Sequence, residues 1–115
     1  MDKKTFYRVS HQDTHQGLWY NFDGKFTGLI HDAFSFCKNT ELKMDFDQSI
    51  VGYLSATPEL DALYHWFTKE DILKLQEHGF YIHKYESSDY WFYEKFQHFV
   101  IHRDSMYFVE KIVLN

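Results

Sequence analysis

Apolar residues recur along the chain with a period near two in some stretches and near three to four in others, and the switches mark out elements. Thr5 to Val9 is rich in β-branched and aromatic residues after a charged start, which predicts a first strand. A polar stretch, Ser10 to Gln16, follows. Leu18 to Phe22 and Lys25 to Ile30 then flank Asp23-Gly24, a pair that tolerates positive φ and predicts a hairpin. Phe34 and Cys37 have the spacing of one helix face, so His31 to Lys38 is expected as a short helix ended by Asn39-Thr40. Residues 39–49 are expected as a loop. Ile50 to Leu54 is short, apolar and bounded by polar residues, as suits a buried strand.

Thr57, Pro58 and Glu59 stand in the order a helix start prefers: a capping hydroxyl, a preorganised first-turn proline and an acid at the positive helix end. Leu60, Leu63, Tyr64 and Phe67 supply its apolar stripe. Thr68 with Asp71 three residues on resembles a capping box before Ile72, Leu73 and Leu75, and Gly79 ends that helix. Phe80 to Glu86 alternates as a strand, with Phe80, Ile82 and Lys84 on one face and Tyr81, His83 and Tyr85 on the other. Residues 90–95 fit helix or strand equally. Phe96 to His102 and Met106 to Leu114 read as the last strands, joined near Arg103-Asp104-Ser105. Strands, then helices, then strands predict one α+β domain over residues 1–115, with a mostly antiparallel or mixed twisted sheet and two or three short helices.

Composition narrows the class. With 44% hydrophobic residues over 115 positions, the chain can bury a core without metals or disulfides, and Cys37, the single cysteine, rules out an internal disulfide. The formal net charge is −5, and residues 41–61 hold five acids against one base. Without a Lys or Arg strip, direct nucleic-acid binding is not expected. No apolar run is long enough for a membrane helix, and the polar start Met1-Asp2-Lys3-Lys4 lacks a secretory core, so the expected setting is a reducing cytoplasm.

Twelve Phe, nine Tyr and three Trp are more rings than a core of this size absorbs, so some must reach the surface. Tyr90, Trp91, Phe92 and Tyr93 are the densest run. In a strand they alternate between faces and in a helix they spread around it, so at least one ring is expected to be exposed. With the neighbouring acids Glu86, Asp89 and Glu94 they form the candidate partner-binding surface, against the alternative that two are buried and two cover a sheet edge. His11 with His15, and His98 with His102, have spacings compatible with metal ligation but lack an accompanying HExxH acid, and no metal is assigned. No GxGxxG, GxxxxGK[ST] or GxSxG is present. Nothing around Cys37 would activate a thiol, and core packing is the expected role.

Tyr7-Arg8-Val9-Ser10, Tyr53-Leu54-Ser55-Ala56-Thr57 and Glu94-Lys95-Phe96-Gln97 together resemble the three-part pattern of small ADP-ribosyltransferase-like domains. That resemblance implies an NAD site in which Arg8 contacts the dinucleotide, Ser55 and Thr57 support the nicotinamide end, and Glu94 or Gln97 stands at the catalytic position. The second part here ends Ser-Ala-Thr where the family has Ser-Thr-Ser, and the third lacks its acid-x-acid spacing. Phe6 to Val9, Gly17 to Tyr20, Phe26 to His31, Ile50 to Thr57 and Phe96 to Ile101 also resemble segments of short proteins carried by bacteriophages and bacterial mobile elements. This second resemblance brings no activity with it and implies only a setting, in which small phage proteins bind and redirect or inhibit host machinery such as antiviral defence; no cofactor is expected. The leading expectation is an acidic protein-binding module; the alternative is an ADP-ribosyltransferase-like NAD enzyme or an inactive relative.

Overall fold

The structure is a computed structural model and describes residues 3–15, 52–94 and 97–115. The hairpin expected around Asp23-Gly24, the helix over 31–38, the loop over 39–49 and Cys37 all lie outside the described residues.

The described chain runs β1 (Lys4–His11), β2 (Tyr53–Ala56), α1 (Leu60–Leu63), α2 (Lys69–Gln76), β3 (Phe80–Ser87), β4 (Tyr90–Tyr93), β5 (His98–His102), a 3₁₀ turn (Arg103–Ser105) and β6 (Met106–Ile112). This is an α+β fold dominated by strand. It departs from a single sheet: β3 is central between β1 and β6, and β5 is central between β2 and β4, giving two three-stranded sheets. Every pairing among these strands is antiparallel. The sheets meet where Tyr7 and Thr57 exchange backbone hydrogen bonds of 2.7 and 3.0 Å. The run 90–95, open between helix and strand, is strand over Tyr90–Tyr93.

Alternation along β1 and β3 explains why each face of the first sheet has its own cover. Val9, Phe80 and Ile82 point to one side and pack with Leu63, Phe67, Ile72 and Leu75 from the helical segment. Phe6 and Tyr85 point to the other side and pack with Leu54, Ala56 and Ile101 of the second sheet. Burying each such side chain stabilises the fold by roughly 1.5–3 kcal/mol before entropy is counted.

Helix starts follow local chemistry, with one shift. The Thr68 hydroxyl accepts from the Asp71 backbone N–H at 3.1 Å, as its spacing predicts. Thr57 does not cap α1: the N-cap is Glu59, which makes no side-chain cap. Thr57 is held instead by its bridge to Tyr7, and its hydroxyl accepts from the Glu59 N–H at 3.4 Å, a turn that delays the helix by two residues.

Gly79 ends the α2 segment with φ +87°, and a Cβ there would lie 2.8 Å from Nε2 of His11. The His11 ring is edge-on to Phe80 at 5.1 Å, and its Nδ1 accepts from the Asp13 N–H, so it has little freedom to retreat. Gly79→Ala is therefore expected to cost about 1–3 kcal/mol. A urea midpoint unchanged from the parent protein would refute this reading of the turn.

Candidate functional site

β4 lies at the edge of its sheet among the described residues. Pairing with β5 divides its rings by face. Tyr90 turns inward, 5.2 Å from the Phe6 ring, and Phe92 sits 5.4 Å from Phe99. Trp91 is on the opposite face, 6.2 Å from Tyr53 and 5.1 Å from Tyr93. Trp91 and Phe92 are 42% and 44% exposed, whereas Tyr90 and Tyr93 are half-buried.

The neighbouring acids occupy three different settings. Asp89 accepts the Tyr53 hydroxyl at 2.9 Å, and its carbonyl accepts the His102 N–H at 2.9 Å, so it ties β2, β4 and β5 together. Burial first, then the Asp89 carboxylate, raises the Tyr53 phenol above its ordinary range. Glu94 is exposed in the turn after β4, and Glu86 lies on β3 opposite Thr5 and Tyr107.

The residues of the NAD-site resemblance lie on different elements. Arg8 is on β1 of the first sheet and Ser55 on β2 of the second. Ser55 alternates with Leu54 and Ala56, which pack against Phe6, so it occupies the other face of β2. Thr57 is at the sheet junction. Gln97 has φ 58° and donates from Nε2 to the Glu94 carbonyl at 2.6 Å, turning both residues onto the β4 to β5 connection. The Ser55 hydroxyl lies 2.8 Å from Nε2 of His98. Pairing of Ser55 with Val100 puts His98 two residues along the same face, a relation that depends on register.

A second constellation was not legible in the sequence. Arg8 pairs with His83 across the β1 and β3 strands, on the face that also carries Ser10 and Tyr85. The Ser10 hydroxyl lies 2.7 Å from His83 Nδ1 and 2.9 Å from the Tyr85 hydroxyl, which in turn lies 2.8 Å from His15 Nδ1. His15 reaches back because its φ is 60° and its N–H bonds the His11 carbonyl. Phe108 closes over the group, 5.2 Å from the His15 ring and 5.6 Å from His83.

Proton counting limits what this chain of three hydrogen bonds can hold. The two hydroxyls supply two protons, so one further N–H completes the chain, from His83 at one end or His15 at the other. Either direction works. Were both rings charged, one buried hydroxyl proton would have no acceptor. Burial, followed by the neighbouring His15, Arg8, Lys111 and His11, lowers His83 to about 4. Burial and Arg8 lower His15 as well, with Asp13 opposing. Burial raises Tyr85, against the pull of Arg8 and Ser10. The group is thus neutral around a cationic Arg8 at pH 7.

Among the described residues no group of three or more His, Cys, Asp or Glu side chains could hold a metal ion. No described helix is long and apolar enough to cross a membrane. Comparison of the chain with protein-family models, with curated proteins and with solved structures finds no match.

Proposed function

We propose that this chain is a small acidic protein-binding module that grips a basic partner protein through β4, which lies at a sheet edge among the described residues. The observation that supports this most is that Trp91 and Phe92, on opposite faces of β4, are both exposed. Each ring gives a large area to desolvate at small entropy cost. Glu94 beside the strand and the −5 net charge of the chain favour a basic partner and set the orientation of approach.

The resemblance to phage and mobile-element proteins supplies the setting: a host protein in the bacterial cytoplasm, such as a defence protein, which this module modulates or inhibits. The NAD-enzyme reading is not preferred, because Arg8 shares the face of β1 that carries Phe6, whereas Ser55 is on the face of β2 turned away from Phe6.

Trp91→Ala is expected to abolish most capture of the host partner from lysate while moving the melting temperature little, since the ring is already partly in water. Truncating a central aromatic anchor typically weakens binding by about 2 kcal/mol or more. Capture at parental strength, or a loss matched by unfolding, would end this reading.

A further inference from the structure

Arg8 is the one charged side chain in the network, and its surroundings do not account for its charge. It is only 6% exposed, and its Nε is buried without a hydrogen-bond partner. Its one side-chain hydrogen bond among the described residues runs from Nη1 to the His15 carbonyl, a long 3.4 Å. No carboxylate of the described residues pairs with it. Ser10, His83 and Tyr85 share its face of the β1 and β3 strands, and the hydroxyls and Nδ1 atoms of these three and His15 are already engaged with one another.

A guanidinium does not escape such a site by losing its proton, and a buried charge without a partner is costly. Nη1 is spent on the carbonyl, which leaves the edge formed by Nε–H and Nη2–H. That edge presents two parallel donors at the spacing of two oxygens on one carbon or phosphorus.

We propose that the Nε and Nη2 edge of Arg8 is a binding site for a compact oxyanion, a phosphate or carboxylate group held bidentately on the buried face of the β1 and β3 strands. The site is independent of the β4 surface and of the partner-binding reading. Phosphate and carboxylate share the required pair of oxygens and differ in charge. An anion beside Arg8 would also draw the His15 and His83 pKa values back upward.

The test is a titration of the whole protein with sodium phosphate, and separately with sodium acetate, at ionic strength held constant with chloride. It is followed by ¹H–¹⁵N spectra of the Arg8 Nε–H and of the His15 and His83 imidazoles. A saturable shift of the Arg8 Nε–H with either anion is expected, and the anion that gives it identifies the ligand class. Arg8→Lys keeps the charge but removes the fork, and it should weaken that binding at least about tenfold. No saturable shift with either anion, or a folded Arg8→Lys protein that binds as tightly as the parent, overturns the proposal. Should Arg8→Lys fail to fold, the parental spectra decide alone.

Discussion

Replacing Phe6 by alanine is expected to lower folding stability by about 3–5 kcal/mol, in the range found for fully buried aromatic side chains. Phe6 is fully buried, and its ring lies 5.2 Å from Tyr90 and 5.6 Å from Phe99, so it joins a strand of the first sheet to two strands of the second. A loss of that size is a large share of the roughly 5–15 kcal/mol that holds a typical domain. Phe6→Leu refills most of the volume and should cost under about 1.5 kcal/mol. Urea unfolding of both variants gives the measurement. Equal, small losses would mean that the two sheets do not share this contact.

Acid should weaken the fold through His83. An unfolded histidine titrates near 6.5, whereas folded His83 titrates at about 4. Above the first value the ring is neutral in both states and the site is at full stability. Between the two values the unfolded chain binds a proton that the folded chain refuses, so stability falls as pH falls, and below the second value the loss is complete. The slope approaches 1.36 kcal/mol per pH unit and the total is up to about 3 kcal/mol. His15, shifted the same way, adds to it. His83→Asn keeps a hydrogen-bonding partner for Ser10 and removes the titration. Unfolding free energies at about pH 7.5 and about pH 5 should therefore differ less in His83→Asn than in the parent. Equal differences would show that His83 is not what acid attacks.

What was legible in the sequence was local. The strand at Phe80–Ser87, the Thr68 cap and the stop at Gly79 each follow from residues within one or two turns of themselves. That at least one ring of the run is exposed follows from alternation, whereas exposure of both Trp91 and Phe92 goes with the position of β4 at a sheet edge among the described residues. What was not legible depends on register between distant segments. Ser10 and His83 are 73 residues apart, and neither carries a motif that announces the other. The same holds for Ser55 and His98, 43 residues apart, whereas Glu94 and Gln97, close to His98 along the chain, lie in the connecting turn. Thr57 shows a different failure. Its cap signature is sound as local chemistry, but the bridge to Tyr7 holds its backbone extended, and tertiary pairing won.

The register that pairs Lys4 with Ser87 and His11 with Phe80 also sets a timetable for the growing polypeptide. Strand β1 leaves the ribosome first, while its hydrogen-bonding neighbour β3 is still untranslated. At roughly 5–20 residues per second, the intervening segment takes on the order of several seconds to synthesise. Through that interval Phe6 and Val9 have none of their β3 neighbours, and the first sheet closes only after β3 has emerged. Pairing of β1 thus waits on the synthesis of β3, and the wide sequence separation of these contacts favours slow folding.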